Sequence, residues 1–142
     1  MYRKILVPVD LGEDDMTRLA IDAALPLAKI EAAGELLLVN VQPLVPIAFV
    51  DYIPPNFDDE MRESAEKSLG ELCGKLDFPR DRASCVVRFG AVYPEVLAEA
   101  EDWGADLIVI GSHRPTMATY LLGSNAKTIV RHAKCSVLVV RK

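Results

Sequence analysis

The chain contains the stretch Leu107-Ile108-Val109-Ile110, a continuous run of branched aliphatic residues that ends at Gly111. Strands that are covered on both faces have unbroken apolar runs of this kind, whereas half-exposed strands alternate apolar and polar residues. The run therefore predicts a buried strand of a parallel sheet.

Apolar runs and helical patterns alternate along the rest of the chain. Four more strands are predicted at residues 5–9, 36–41, 83–89 and 137–140. Four helices are predicted at about residues 20–30, 61–76, 94–103 and 124–133. This alternation predicts an α/β fold, because strands joined through helices form a parallel sheet with helices on both faces. We expect a single doubly wound domain over residues 1–142, with a five-stranded parallel sheet in the order 3-2-1-4-5.

Prolines and glycines punctuate this pattern. Pro26 lies inside the first predicted helix, where we expect it to kink the helix. Residues 42–57 carry four prolines and are predicted to form a long loop. Gly104 follows the third predicted helix, and a glycine directly after the last helical residue is a typical helix end.

The composition of the 142 residues limits the classes of function. With 16 basic and 21 acidic side chains the formal net charge is −5, which argues against general binding to nucleic acid or to an anionic membrane. No apolar stretch reaches the ~18 residues of a membrane span. The three cysteines are odd in number and widely spaced, which indicates reduced thiols and a cytoplasmic protein.

The charges are unevenly distributed along the chain. Residues 1–110 hold 10 basic and 21 acidic side chains, whereas residues 111–142 hold six basic ones and no acidic one. The basic stretch indicates either an anionic ligand nearby or a solvated helix face. Helical spacing places three basic residues on the solvent face of the last helix: Lys127, Arg131 and Lys134. The opposite face is apolar: Ala126, Ile129, Val130 and Ala133. Arg114 and Lys127 remain candidates for contact with a phosphate.

The topology predicts where a ligand would bind. In an open parallel sheet, ligands bind beyond the carboxyl ends of the strands, where the strand order reverses, here between strands one and four. Four segments converge on this crevice: Asp10, Asn40-Val41, residues 111–114 and residues 123–125. Gly111 is expected to let the chain turn sharply off the buried strand.

The start of the last predicted helix suits an anion. Gly123-Ser124 lies at its N-terminus, where free backbone amides and the helix dipole favour a phosphate. A plain N-cap with a turn glycine is the alternative interpretation.

Four motifs in order resemble those of the universal stress protein family: ILVPVD at 5–10, ADLIVIGSH at 105–113, YLLGSNA at 120–126 and CSVLVV at 135–140. The resemblance implies the five-stranded α/β fold expected above. It also implies ATP binding, since one branch of the family holds ATP with the motif G-x2-G-x9-G-[ST].

This chain departs from that motif, because Arg114 replaces the second glycine and only eight residues separate Arg114 from Gly123. The stretches GSHRP at 111–115 and TYLLGS at 119–124 are similar to an enterobacterial-type subgroup that also binds adenine nucleotides. The other branch of the family lacks the motif and does not bind ATP.

Carried over position by position, the resemblance implies a set of nucleotide-contacting residues: Pro8, Val9, Asp10, Val41, Gly111, His113, Arg114, Gly123, Ser124 and Asn125. The first three would line the adenine and ribose end, and Val41 would offer backbone hydrogen bonds to the adenine edge. Gly111, His113 and Arg114 would flank the ribose and phosphates, and residues 123–125 would hold the phosphates. Mg²⁺ or Mn²⁺ would be held mainly through the phosphates of ATP, ADP or AMP, since the chain offers no metal cluster of its own.

Three of these residues have alternative roles. Arg114 either reaches the phosphates with a bidentate charged donor or is an exposed loop arginine. His113 either contacts the phosphate or ribose or bonds loop carbonyls. Asp10 is either a ribose or adenine ligand or a helix-capping carboxylate after the strand.

Three functions compete. The leading one is an ATP-binding, nucleotide-dependent stress-response regulatory module; the others are a slow ATPase or kinase-like enzyme and a partner-interaction module that does not bind nucleotide. No paired catalytic carboxylates or nucleophile–base set is visible, so we predict no dedicated catalytic activity and leave weak ATP hydrolysis open. The resemblance also implies a homodimer through the apolar edge strand Ser136–Val140, with no nucleic-acid or membrane partner.

Overall fold

The computed structural model describes residues 2–12, 14–44, 47–52, 54–112 and 124–141. These residues form five strands: β1 (Lys4–Pro8), β2 (Glu35–Gln42), β3 (Ala83–Phe89), β4 (Leu107–Gly111) and β5 (Ser136–Val140). They also form four α-helices: α1 (Asp14–Ile30), α2 (Phe57–Gly74), α3 (Val92–Trp103) and α4 (Ser124–His132). Two 3₁₀ helices cover Ile47–Tyr52 and Arg80–Arg82.

The five strands form one parallel sheet in the order β3-β2-β1-β4-β5, which confirms the expected topology. Ile5 of β1 is in register with Leu36 of β2 on one side and with Leu107 of β4 on the other. The chain therefore winds outward from β1 in both directions, and the strand order reverses between β1 and β4.

Helices cover both faces of the sheet, as predicted for a doubly wound fold. On one face, Ile5 and Val7 pack with Ala24 of α1 and Leu69 of α2. On the other, Leu6 packs among apolar residues of α3 and α4, which include Val96, Ala100, Ala126 and Ile129. Each fully buried aliphatic side chain of this kind contributes about 1.5–3 kcal/mol of transfer free energy. The run at residues 107–110 is buried throughout, as its unbroken apolar character predicts.

Helix α1 continues through Pro26 and ends at Ile30. A proline leaves the carbonyl group four residues earlier without a helical donor. That carbonyl belongs to Asp22, an exposed residue, and Pro26 is exposed as well. Water can therefore replace the lost hydrogen bond, and the helix continues past the proline.

The predicted loop over residues 42–57 is wrong in part. Strand β2 extends to Gln42, Ile47–Tyr52 form a 3₁₀ helix, and α2 already begins at Phe57. The first turn of α2 is acidic (residues 58–60), so the apolar periodicity that starts at Met61 misses it. Carboxylates in a first turn are stabilised by the helix dipole, which accounts for the earlier start.

The end of α3 is confirmed. Gly104 follows Trp103 and adopts a left-handed conformation, with φ of 80° and ψ of 40°. Its backbone N–H donates to the carbonyl of Ala100, so one of the last carbonyl groups of the helix is satisfied. A side chain at this φ would be strained, and glycine is therefore the residue that suits this helix end.

Candidate functional site

A cleft of about 640 Å³ opens at the carboxyl ends of β1, β2 and β4. Its volume lies within the range typical of small-molecule sites, roughly 300–1,000 Å³. The walls comprise residues that follow or end the three strands, together with residues from α1, α3 and α4: Pro8–Gly12, Val39–Pro43, Ile110–Ser112, Met16, Thr17, Val92, Val96, Asn125 and Ala126. The cleft is therefore located where the strand order reverses, as the topology predicts.

Asp10, the first residue beyond Val9, is held by a pair of hydrogen bonds to one hydroxyl group. The backbone N–H of Asp10 donates to Oγ1 of Thr17 at 3.0 Å, and the same hydroxyl donates to the carbonyl of Asp10 at 3.0 Å. Thr17 is buried in the first half of α1. The backbone of Asp10 is thereby fixed to α1 at the floor of the cleft.

The carboxylate of Asp10 is only partly used within the protein. Its Oδ1 accepts a 2.9 Å hydrogen bond from the backbone N–H of Gly12, which closes a short turn after β1. Among the described residues, Oδ2 takes no hydrogen bond, and Asp10 is the one acidic residue of the described lining. Asp10 thus caps a turn after β1 and not the helix, since α1 begins only at Asp14, and no described residue donates to its second carboxylate oxygen.

Asn40 is the buried polar residue of β2, with 3% of its surface exposed. Its Nδ2 donates to the carbonyl oxygen of Val9 at 2.9 Å, and its Oδ1 accepts a 2.6 Å hydrogen bond from Nε2 of Gln42. The side chain of Asn40 therefore joins the end of β2 to the chain that leaves β1.

The hydrogen bond from Nδ2 of Asn40 to the carbonyl of Val9 lies where the backbone of Val41 would otherwise pair with β1. The backbone N–H of Val9 donates to the carbonyl of Val39, so residues 39 and 41 of β2 direct their backbone groups towards β1. A continued ladder would pair the N–H of Val41 with the carbonyl of Val9, but the described β1–β2 register ends at Pro8↔Val39, and that carbonyl accepts from Nδ2 of Asn40. Among the described residues, the N–H and carbonyl of Val41 have no backbone partner on this side, so they can offer one donor and one acceptor to a ligand.

Gly111 is needed for a different reason from the predicted one. Its φ does not lie in the left-handed region, where only Gly90 and Gly104 are found among the described glycines. A Cβ on Gly111 would instead lie 2.9 Å from Cε and 3.0 Å from the carbonyl oxygen of Met16. Gly111 is still part of β4, and the N–H of Ser112 donates to the carbonyl of Val140, so the chain does not turn sharply at Gly111 itself; glycine there lets α1 approach the end of β4 closely.

Helix α4 directs its N-terminal end towards the cleft. The helix begins at Ser124, and both Asn125 and Ala126 line the cleft. Asn125 is exposed, whereas Ala126 is buried against the sheet. The unpaired N–H groups of a first helical turn carry partial positive charge, so this end of the cleft suits an anionic group.

The structure brings most of the sequence-predicted site residues together. Six of them line this cleft: Pro8, Val9, Asp10, Val41, Gly111 and Asn125. Ser124 begins α4 beside it. Three lie outside the described residues: His113, Arg114 and Gly123.

Thr17 and Gln42 were not predicted from the sequence. Each is a polar residue whose part in the site depends on a neighbour in space rather than on a motif. Asn40 was predicted only as a wall of the crevice, although a lone amide in the apolar run 36–41 is itself a signal of a specific buried hydrogen bond.

The basic residues of α4 face away from the core. Lys127 and Arg131 are exposed, as predicted for the solvent face of the last helix. Lys134 is exposed as well, but it lies beyond the end of α4 at His132 and pairs with Glu101 of α3 at 2.8 Å. Val130 departs from the prediction, because 45% of its surface is exposed rather than packed on the sheet.

The described residues contain no group of three or more His, Cys, Asp or Glu that could hold a metal ion. None of the described helices is long and apolar enough to cross a membrane.

The model of the universal stress protein family matches residues 1–141. Universal stress protein G of Escherichia coli O157:H7 is 36% identical over 144 residues, covering 99% of this chain and 100% of that protein. Among solved structures, universal stress protein UspA from Lactobacillus plantarum superposes with a TM-score of 0.78 at 23% identity, covering 99% of this chain and 98% of that one.

Two further structures of the family were solved with nucleotides. A universal stress protein in complex with cAMP has a TM-score of 0.69 at 19% identity, covering 98% of this chain and 97% of that one. A family member from Arabidopsis thaliana with AMP bound has a TM-score of 0.62 at 16% identity, covering 99% of this chain and 92% of that one. At these identities the superpositions establish a common fold. The match of the family model over nearly the whole chain and the similarity to universal stress protein G lead to one conclusion: this chain belongs to the universal stress protein family.

Proposed function

We propose that the protein binds an adenine nucleotide in the cleft between β1 and β4 and acts as a nucleotide-dependent regulatory module of the cytoplasmic stress response. The observation that carries the proposal is the open backbone of Val41, with one donor and one acceptor at the cleft wall. The adenine edge presents the complementary pair, an N6 amino donor beside the N1 acceptor. The cAMP and AMP complexes of the two family members support the same class of ligand.

The remaining walls suit the rest of a nucleotide. Oδ2 of Asp10, which accepts no hydrogen bond from the described part of the chain, can accept one from a ribose hydroxyl group. The N-terminal end of α4, next to Asn125, is the electrostatically favourable place for phosphates. His113, Arg114, Gly123 and Ser124 remain predicted contacts of the ribose and phosphates.

A divalent cation fits this arrangement as a companion of the phosphates. Mg²⁺ prefers oxygen ligands and commonly binds through one or two carboxylates together with substrate phosphates. Asp10 is the one carboxylate of the described lining, so Mg²⁺ or Mn²⁺ would be held chiefly by the phosphates. The cation would neutralise phosphate charge in an otherwise acidic protein.

We also propose a homodimer formed through β5. This strand is the last in the sheet order, and 38% of the surface of Leu138 at its centre is exposed. Val130 on the neighbouring α4 is also exposed, although it lies on the helix face expected to be buried. A second copy of the chain that covers both residues would bury an apolar edge that otherwise invites uncontrolled pairing.

Isothermal titration calorimetry with ATP, ADP, AMP and GTP tests the nucleotide proposal. We expect saturable binding of the adenine nucleotides and weaker binding of GTP, whose base presents an acceptor where adenine presents the amino donor. Asp10→Ala should weaken binding roughly 10- to 150-fold, since a charge-assisted hydrogen bond contributes about 1.5–3 kcal/mol. Asp22→Ala, on the exposed side of α1, is the matched control and should bind as the native protein does. No binding at millimolar adenine nucleotide would contradict the proposal and favour a module that recognises another partner.

A further inference from the structure

Two of the three cysteines are brought together by the packing of α2 on β3. Cys73 lies in the last turn of α2 and is half-buried, whereas Cys85 lies on β3 and is exposed. Strand β3 is an edge strand, so one of its sides is open to solvent. The alternation of side chains puts Cys85 on the same face as Ala83 and Val87, and this is the face on which Cys73 packs.

The two thiol groups interact directly. Burial raises the pKa of the Cys73 thiol, and the neighbouring Cys85 raises it further through charge repulsion and through a hydrogen bond between the two side chains. The packing of α2 on β3 and this shift in the pKa both place the thiol of Cys73 near the exposed Cys85.

Cys135 is in a different situation. It lies directly before β5, at the opposite edge of the sheet from β3. Burial is the main cause that raises the pKa of its thiol, and no other cysteine contributes to that shift. Cys135 therefore serves as an internal reference for ordinary thiol reactivity in the same molecule.

We propose that Cys73 and Cys85 form a reversible redox modification site, at which a peroxide converts the adjacent thiols into an intramolecular disulfide. This inference is independent of nucleotide binding. In reducing compartments, disulfides that do form are typically transient and redox-sensing. The pairing of an exposed cysteine with a resolving cysteine is the arrangement that such chemistry requires.

The chemistry balances in two steps. In the first, the thiolate of Cys85 attacks one oxygen of hydrogen peroxide, the O–O bond breaks, and the departing hydroxide takes up a proton as water, which leaves a sulfenic acid on Cys85. In the second, the sulfur of Cys73 attacks the sulfur of Cys85, the S–O bond breaks, and hydroxide leaves with the thiol proton of Cys73 as a second water. Two electrons pass from the two thiols to one peroxide, and a dithiol such as dithiothreitol reverses the change by exchange.

The disulfide would tie the last turn of α2 to the edge strand. It closes a loop over residues 74–84, which contains the 3₁₀ helix Arg80–Arg82. Because α2 and β3 already pack against each other, the disulfide would join two elements that are neighbours in the fold. Oxidation should therefore stiffen this edge and leave the fold intact.

Mass spectrometry after oxidation tests the proposal on the native protein. The reduced protein is treated with hydrogen peroxide, free thiols are blocked with N-ethylmaleimide, and the peptides are mapped. We expect a cross-linked peptide that contains Cys73 and Cys85, lighter by two hydrogen atoms, while Cys135 is alkylated. Dithiothreitol should restore alkylation of both cysteines. The proposal is overturned if Cys73 and Cys85 stay fully alkylated under excess peroxide, or if the cross-link involves Cys135.

Two variants separate a paired site from an ordinary exposed thiol. In Cys73→Ala, the sulfenic acid on Cys85 has no resolving partner, so we expect Cys85 to accumulate sulfinic acid several-fold faster than in the native protein. Cys135→Ala should form the disulfide at an unchanged rate. If Cys85 becomes sulfinic acid equally fast with and without Cys73, the two thiols do not act as a pair and the proposal fails.

Discussion

Nδ2 of Asn40 donates a 2.9 Å hydrogen bond to the carbonyl oxygen of Val9, at the point where β1 and β2 diverge. The same carbonyl would otherwise receive the backbone N–H of Val41 and continue the ladder between the two strands. One buried side chain thus ends the strand pairing and leaves a backbone donor and acceptor at the wall of the cleft. The proposed recognition of adenine depends on this replacement of a backbone partner by a side-chain partner.

Asn40→Ala removes this link. We expect a loss of about 1–3 kcal/mol in the free energy of unfolding, because the buried carbonyl of Val9 loses its donor. Nucleotide affinity should also fall, because the ends of β1 and β2 lose the hydrogen bond that holds the backbone of Val41 in place at the cleft wall. Urea denaturation and calorimetry measure the two effects.

Asn56→Ala is the matched control for this variant. Asn56 is exposed at the N-cap of α2 and makes no side-chain capping hydrogen bond, so its removal should change stability by less than about 0.5 kcal/mol. Equal stability of Asn40→Ala and Asn56→Ala would show that the Asn40 hydrogen bond contributes nothing.

Thr17→Val replaces the hydroxyl that holds the backbone of Asp10 with a methyl group of similar size. The backbone N–H and carbonyl of Asp10 both lose their partner, and we expect a loss of about 1–3 kcal/mol in stability together with weaker nucleotide binding. Thr17→Ser keeps the hydroxyl and should retain most of the affinity. The account of Asp10 is contradicted if Thr17→Val and Thr17→Ser bind nucleotide equally well.

Gly111→Ala places a methyl group 2.9 Å from Cε and 3.0 Å from the carbonyl oxygen of Met16. The backbone oxygen cannot move without shifting α1, so we expect destabilisation of about 1–3 kcal/mol in a denaturant titration. Gly70→Ala offers a control of opposite sign. Nothing lies within 4 Å of a Cβ at Gly70 in the interior of α2, and alanine there should stabilise the protein by about 0.5–1 kcal/mol. A neutral Gly111→Ala would mean that α1 does not need this close approach.

Leu138→Lys puts a charge at the centre of the exposed edge strand. If two copies of the chain pair through β5, the charge is buried without a partner and the dimer should dissociate to monomers in light scattering. Ile30→Lys is the control, because Ile30 is 69% exposed at the end of α1, away from this edge. A dimer that survives Leu138→Lys, or a native protein that is monomeric, would refute an interface at β5.

The sequence predicts the fold well because the apolar runs of strands and the apolar periodicity of helices are local patterns that recur along the chain. The apolar run before Gly111 required burial on both faces, and Gly104 marked the end of α3, as the structure confirms. The sheet order followed from the alternation of strands and helices and the likeness to a known family. The start of α2 was missed because its first turn is polar and carries no apolar periodicity.

The site could be predicted as a location but not as a set of contacts. The rule that ligands bind where strand order reverses brought Asp10, Val41 and Gly111 to one cleft. The hydroxyl of Thr17 and the methionine that requires Gly111 come from α1, and only tertiary packing brings them to the strand ends. No sequence motif corresponds to these contacts, so they could not be predicted from the sequence alone.

The central claim is that an adenine nucleotide binds against the backbone of Val41. The most direct measurement is the amide resonance of Val41 in an ¹⁵N spectrum of the native protein titrated with ATP and Mg²⁺. The account predicts a large, saturable shift of this resonance, reproduced by AMP, while the amide of Gly70 on α2 stays unchanged. A Val41 resonance that does not move at millimolar ATP, or that moves no more than that of Gly70, would contradict it.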